Sequence, residues 1–111
     1  MCNKTADFLV LRFERADGVL WPIGVLLFEH DADKLHVRAR VELGTVGPDD
    51  ERVLRLFLTQ LSAEADTLSG ASILRYLEDT LSNSIRIGER TTIHVHSVND
   101  VLNELAARYF V

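Results

Sequence analysis

The segment from residue 20 to residue 43 constrains the fold more than any other part of the chain. Its second half, KLHVRARVEL at 34–43, alternates strictly between apolar and charged residues, a period typical of a half-buried β-strand. Its first half, LWPIGVLLFE at 20–29, is apolar at nearly every position, and the HDAD sequence between the halves consists of turn-forming residues. The segment therefore predicts a β-hairpin with a four-residue loop.

Opposite charges at the ends of the two strands predict the register of this hairpin. With HDAD as the loop, Glu29 lies opposite Lys34, which is a favourable cross-strand pair. One face then pairs Phe28 with Leu35, as well as Leu26 with Val37. On the other face, apolar residues lie beside a basic stripe: Leu27 beside His36, Val25 beside Arg38, and Ile23 beside Arg40.

The first strand and the first helix are also clear from local patterns. DFLVLRFE at 7–14 predicts a strand that precedes the hairpin. GPDDERVLRLFLTQLSAEADTL at 47–68 predicts a helix, because Pro48 suits the first turn and three acidic residues follow at the positive end of the helix dipole. The apolar residues at helical spacing predict a core stripe of Val53, Leu54, Phe57, Leu61 and Leu68.

The second half of the chain continues with two helices and two short strands. GASILRYLEDTLSN at 70–83 predicts a second helix that buries Ile73, Leu74, Leu77 and Leu81. SIRIGERTTIHVH at 84–96 predicts two short strands joined near Gly88. SVNDVLNELAARYFV at 97–111 predicts a third helix that begins with a capping box formed by Ser97 and Asp100.

The order βββααββα predicts a single α+β domain over residues 1–111. The expected architecture is a mainly antiparallel sheet of about five strands, with three helices packed on one face. The other face is then bare, and it carries Ile23, Val25 and Leu27 next to the basic stripe. An exposed apolar patch of this kind is typical of an interaction surface.

Composition argues against several classes of function. The net charge of −5, from 17 acidic and 12 basic residues, counts against general nucleic-acid binding. Apolar runs are too short to span a membrane, and Cys2, as the one cysteine, forms no internal disulfide. We therefore expect a cytoplasmic protein. The sequence shows no glycine-rich phosphate loop and no nucleophile elbow, so we expect neither an enzyme nor a bound cofactor.

Three segments of the chain are distinctive: LVLRFERAD, PIGVLLF and HVHSVNDVLNELAARYFV. Together they resemble an uncharacterised bacterial family, the domain of unknown function 3037. Where that family tends to have Glu and Asn before a glycine, this chain has Val19 and Pro22, while Gly24 and Val25 match. Genes of the family often lie beside kinases of the HipA toxin type, so the resemblance implies a partner or regulator of such a kinase.

The leading hypothesis is a non-enzymatic protein-interaction module, with a homodimer as its simplest form. Something must cover the apolar residues of the bare face: the stems of the basic side chains folded over them, a second copy, or a protein partner. Trp21, at the entrance to the second strand, is either a binding anchor or a partly buried lid on the core. The candidate interface comprises Trp21, Ile23, Val25, Leu27, His36, Arg38 and Arg40.

Two alternative hypotheses use the polar residues of the sheet. A small anion or a metal ion would bind to the His/Arg face, since His94 and His96 project from one side of a strand and His36 could supply a third metal ligand. The third hypothesis is local nucleic-acid contact through the arginine stripe of Arg38 and Arg40.

Overall fold

The computed structural model describes residues 4–80 and 84–110. Cys2 and Leu81, which figure in the sequence-based expectations, lie outside these ranges. In chain order the elements are β1 (Lys4–Glu14), β2 (Leu20–Glu29), β3 (Lys34–Ala39), a short 3₁₀ turn (Gly44–Val46), α1 (Pro48–Thr67), α2 (Gly70–Thr80), β4 (Ile85–Ile87), β5 (Thr91–Val95) and α3 (Val98–Tyr109).

The five strands form one antiparallel sheet, and the predicted α+β class and element order are confirmed. The sheet runs β3-β2-β1, and the far edge of β1 is shared by two short strands. β4 pairs with the end of β1 at Leu11–Phe13, whereas β5 pairs with its beginning at Lys4–Phe8. β3 therefore forms one edge of the sheet, and β1 and β2 lie in its interior.

The β2–β3 hairpin has the predicted register. Glu29 pairs with Lys34, Phe28 with Leu35, and the pattern continues to Gly24 opposite Ala39. β3 ends at Ala39 rather than at the predicted Leu43. The chain leaves the sheet there because Leu43, which is 0% exposed, inserts into the main core.

The turn between β2 and β3 also anchors α2. Asp33 has a positive φ of 48°, and its carboxylate accepts hydrogen bonds from the Ser69 hydroxyl at 2.6 Å and the Ala71 N–H at 2.9 Å. These bonds lower the pKa of Asp33 below its ordinary value. The first N–H groups of a helix have no partners within the helix. Asp33 of the hairpin turn therefore caps the start of α2 by accepting a hydrogen bond from one of them.

The main core lies between the first face of the sheet and the helices α1 and α2. α1 buries Leu54, Leu58, Leu61 and Ala65, whereas Val53 is 62% exposed and Leu68 is 52% exposed. The predicted stripe is therefore wrong at both of these positions. Consecutive helix residues are about 100° apart around the axis, so turning Leu54 toward the sheet turns Val53 away from it.

α3 covers the second face of the sheet, which the sequence analysis expected to be bare. Leu102 of α3 packs with Leu27, and a second core cluster of Ala6, Leu27, Val95 and Leu102 forms there. The domain therefore has three layers, and the expectation that all three helices pack on one face is wrong. The physical reason is that β2 is apolar on both sides, so both sides require cover.

Gly70 allows α2 to begin against the hairpin. A Cβ atom at this position would lie 2.8 Å from the Leu35 backbone nitrogen and 2.8 Å from the Phe28 ring. We expect Gly70→Ala to lower the free energy of unfolding by about 1–3 kcal/mol, because neither neighbour can move without disturbing the core. Gly44→Ala is the matched control, since no atom lies within 4 Å of a Cβ there. Equal stability of the two variants in urea denaturation would contradict this packing.

Candidate interaction groove along β3

The apolar residues proposed as an interface belong to the protein's own core. Ile23, Val25 and Leu27 are each 0% exposed. Trp21 is half-buried and packs against the main core cluster. Of its two predicted roles, this position matches the partly buried lid on the core. The sequence-based expectation of an exposed apolar patch at these residues is therefore wrong, because α3 and the helices of the first face cover them.

Two members of the basic stripe are bonded to neighbouring elements within the domain. His36 Nε2 lies 3.0 Å from Glu29 Oε1, across the hairpin. Arg38 Nη1 donates to Asn103 Oδ1 of α3 at 2.7 Å. The stripe thus helps to hold α3 on the sheet, and Arg38 does so through a neutral acceptor that leaves its positive charge uncompensated.

Arg40 is held between two aromatic rings. Its guanidinium lies 4.1 Å from the centroid of Trp21 and 5.6 Å from that of Phe110, and Nη1 donates to the Pro22 carbonyl at 3.1 Å. Cation–π contact of this kind fixes an arginine without neutralising it. Arg40 therefore remains a positively charged group at the end of β3.

The three histidines proposed as metal ligands are not brought together. His36 lies opposite Leu27 on the face covered by α3, whereas His94 pairs with Thr5 on the other face. Their strands are three sheet spacings apart, or about 14 Å, and His96 lies beyond the end of β5. Within residues 4–80 and 84–110, no group of three His, Cys, Asp or Glu side chains could hold a metal ion.

A separate polar cluster surrounds Asp7, which sequence analysis did not single out. Its carboxylate accepts a hydrogen bond from the Thr92 hydroxyl at 2.7 Å and lies 3.0 Å from His30 Nε2. Arg90 lies 3.9 Å from Asp7 and forms two hydrogen bonds with Glu78 of α2. These bonds to Glu78 outweigh the effect of burial and raise the pKa of Arg90.

The geometry of this cluster fits a structural role. Nucleophilic catalysis requires a hydroxyl that donates to a base, whereas Thr92 and His30 both bond to Asp7 instead of to each other. Burial raises the pKa of Asp7, but the hydrogen bonds from Thr92 and His30 and the nearby positive charges outweigh it, so the pKa lies below 3.8. Asp7 is therefore an ionised link between β1, β5 and the end of β2.

The free edge of β3 is the clearest docking feature of the described structure. The Arg40 N–H donates to the Ile23 carbonyl at 2.8 Å. The backbone N–H and C=O groups of successive residues in a strand point in alternate directions. Those of Arg38 and His36 therefore also point toward β2, whereas those of Val37 and Ala39 point away from the sheet. The edge thus presents backbone donors and acceptors to an additional strand.

Helices on both faces turn this edge into a groove. Beside residues 34–38 lies a cavity of about 290 Å³, walled by Ala65 and Asp66 of α1 and by Asn99 of α3. Beside residues 39–41 lies a second cavity of about 300 Å³ under α1. Ser62 of α1 lines both cavities, which therefore lie next to each other along β3. We call this feature, along residues 34–41 and between α1 and α3, the β3 groove.

The β3 groove is positively charged although the protein as a whole is acidic. Lys34 lies 4.0 Å from Asp66, and His36 is bonded to Glu29. Among the described residues, no carboxylate lies within ion-pair distance of Arg38 or Arg40.

Charged residues at alternate positions of a strand typically protect the edge of a sheet from unwanted pairing. This alternation in residues 34–40 could have identified β3 as an edge strand from the sequence.

Comparison with known proteins adds no further information about this site. No family model matches the chain, and no curated protein or solved structure is significantly similar to it. The resemblance to the domain of unknown function 3037 therefore stays a prediction. In the part of the chain that the structure describes, no helix is long and apolar enough to cross a membrane.

The depressed pKa of Asp7 predicts a pH dependence of stability. A carboxyl group whose pKa is lower in the folded state contributes stability above its unfolded pKa, and this contribution is lost as the pH falls through the folded value. We therefore expect the free energy of unfolding to fall as the pH decreases below about 5, toward the folded pKa of Asp7.

The matched variant is Asp7→Asn. It should be less stable than the wild type at pH 7 by about 1–3 kcal/mol, because His30 and Thr92 lose an ionised acceptor. The difference in urea denaturation should shrink as the pH falls. A difference that stays constant down to the acid limit of folding would contradict the assignment of this dependence to Asp7.

Proposed function

We propose that this chain is a non-enzymatic protein-interaction module that binds an extended segment of a partner protein along the free edge of β3. The single observation that carries the proposal is the β3 groove, an open strand edge flanked by helices on both faces. A bacterial origin and a HipA-type kinase as the partner are part of the proposal on the strength of the sequence resemblance alone, and a cytoplasmic setting is part of it on the strength of the single cysteine and the short apolar runs.

Binding would use the backbone of β3 first. An added strand would pair its N–H and C=O groups with those of Val37 and Ala39, which face away from β2. Strand addition of this kind draws affinity from main-chain hydrogen bonds and specificity from alternate side chains. Because β3 ends at Ala39 and the start of α2 lies against the Leu35 backbone nitrogen, the added segment pairs with Val37 and Ala39 and is short.

The side chains beside β3 select the chemistry of that segment. On the α3 side, an added strand would place alternate residues next to His36, Arg38 and Arg40, where acidic side chains form favourable cross-strand pairs. On the α1 side, the wall includes Ser62 and Ala65, whose small side chains leave room for apolar residues of moderate size. The expected ligand alternates acidic and apolar residues.

The same charges oppose pairing of this edge with a second copy of itself. In an antiparallel pair of β3 strands centred on Val37, His36 of one copy would lie opposite Arg38 of the other, and Lys34 opposite Arg40. Like charges directly opposite each other are destabilising. The β3 groove thus fits an acidic partner better than it fits its own chain.

Arg38 and Arg40 favour a second candidate function, the binding of a small anion. Two guanidinium groups without a carboxylate partner among the described residues can bind a carboxylate or a phosphate. Such a ligand would use the charges of the β3 groove and leave its backbone edge unused. The experiment below therefore includes free anions as competitors.

A short peptide that alternates glutamate and valine tests the proposed function. Fluorescence anisotropy should show saturable binding, and the amide NMR signals of Val37 and Ala39 should shift. Arg38→Glu should weaken binding about tenfold, because it replaces an attraction with a repulsion. Arg75→Glu, the same change on the exposed surface of α2, is the matched control and should bind like the wild type.

Three competitors separate the alternatives. A peptide of the same sequence with methylated amides on its pairing edge should fail to bind, since it cannot extend the sheet. Equal binding of the methylated peptide, or displacement by inorganic phosphate at a similar concentration, would favour the small-anion site. Tighter binding of single-stranded DNA that is lost in Arg38→Glu would favour nucleic-acid contact, and absence of any peptide binding would refute the proposed function.

A further inference from the structure

The outer surface of α1 carries an exposed stripe with the spacing of a coiled-coil seam. Val53, Leu56, Gln60, Ala63 and Thr67 are separated by three, four, three and four residues, and all five are exposed. Val53 and Leu56 are each 62% exposed. No member of the stripe is charged, although 26% of the chain consists of charged residues. We call these five residues the α1 seam.

No other element of the described structure covers the α1 seam, since all five of its residues are exposed. The alternation of three and four is the pattern that brings helices together through interlocking side chains. The seam spans 14 residue steps, or about 21 Å of helix. Beside it, Phe57 and the 62% exposed Tyr76 line a cavity of about 260 Å³ between α1 and α2, which extends the apolar surface.

The side chains of the α1 seam fit in size against those of a second copy that runs in the opposite direction. When two copies of α1 pack antiparallel around Gln60, Leu56 of one copy lies between Ala63 and Glu64 of the other, so a large side chain packs on a small one beside a carboxylate that borders the seam. Val53 then lies opposite Thr67, and the two Gln60 side chains meet at the centre. A polar residue at one seam position is a common device for fixing register and orientation.

The flanking charges favour the antiparallel orientation. Arg52 precedes the seam, and no ion pair with Arg52 occurs among the described residues. Asp66 flanks the other end, and its side chain is 80% exposed at the distance limit of a contact with Lys34. Antiparallel packing brings Arg52 of each copy toward Asp66 of the other, whereas parallel packing would place the two Arg52 side chains at the same height.

From this seam we infer that the protein forms a symmetric homodimer in which the α1 helices of two copies pack antiparallel around Gln60. Thr59 and Ser62, which line the β3 groove, lie on a different side of the helix from the seam, and Asp66 lies at the border between the two surfaces. Both β3 grooves therefore stay open in the dimer. The inference does not depend on the proposed function, and the dimer can fail while the β3 groove binds peptide.

Sedimentation velocity across a micromolar concentration series tests the dimer. The wild type should approach twice the chain mass of 12.5 kDa. Leu56→Glu should raise the dissociation constant at least about 30-fold, because it places a charge at a central apolar contact. Val19→Glu is the control, since it adds the same charge at a 50% exposed valine in the β1–β2 loop, away from α1. Far-UV circular dichroism should confirm that both variants remain folded.

A charge exchange tests the orientation. Arg52→Asp and Asp66→Arg should each weaken the dimer about fivefold, and the double variant should recover wild-type association, because the pair is restored with its signs reversed. A wild type that remains monomeric throughout the series would overturn the inference. So would an unchanged dimer in Leu56→Glu, or a double variant that is no stronger than the single ones.

Discussion

Seven consecutive residues of β2, from Ile23 to Glu29, are buried, so this strand needs cover on both sides. Side chains alternate between the two faces of a strand, and Leu26 and Phe28 therefore point toward α1 and α2 while Val25 and Leu27 point toward α3. Burial of one such apolar side chain contributes about 1.5–3 kcal/mol. In a two-layer domain the β2 side chains of the second face would stay exposed and their burial free energy would be lost. Packing of α3 on that face recovers it.

This cover changes the role of the basic stripe. With an open second face, His36, Arg38 and Arg40 would lie within a wide exposed surface. With α3 in place, they lie at the rim, where Arg38 bonds to Asn103 and Arg40 stacks on Trp21 and Phe110. The surface that we propose for recognition is therefore narrow: the backbone edge of β3 and the charges beside it, between α1 and α3.

Much of the local structure was predictable because it depends on residues that are close in sequence. The Glu29–Lys34 pair and the HDAD turn predicted the hairpin register, and Ser97 with Asp100 predicted the start of α3, where the Ser97 hydroxyl accepts from the Asp100 N–H at 3.4 Å. Contacts between distant segments were not predictable in this way. Nothing near Asp33 in sequence indicates that it caps α2, or that Asp7 joins His30 and Thr92.

The wrong expectations have a common cause. The unbroken apolar run from Ile23 to Phe28 is the signature of a strand buried on both faces, whereas the expectation of a bare second face requires one buried and one exposed apolar face. The binding surface expected from the sequence is therefore the face of the sheet, whereas the surface that we propose is its edge. On α1, the expectation that every apolar residue at helical spacing lies in the core is wrong at Val53, which belongs to the exposed α1 seam.

The packing of α3 on the second face is the central claim, and methyl NMR tests it most directly. With leucine methyl groups labelled, the account predicts nuclear Overhauser effects between Leu27 and Leu102, together with slow amide exchange in the middle of α3. Absence of these cross-peaks in the folded protein, with α3 amides exchanging as fast as those of an isolated helix, would contradict the account.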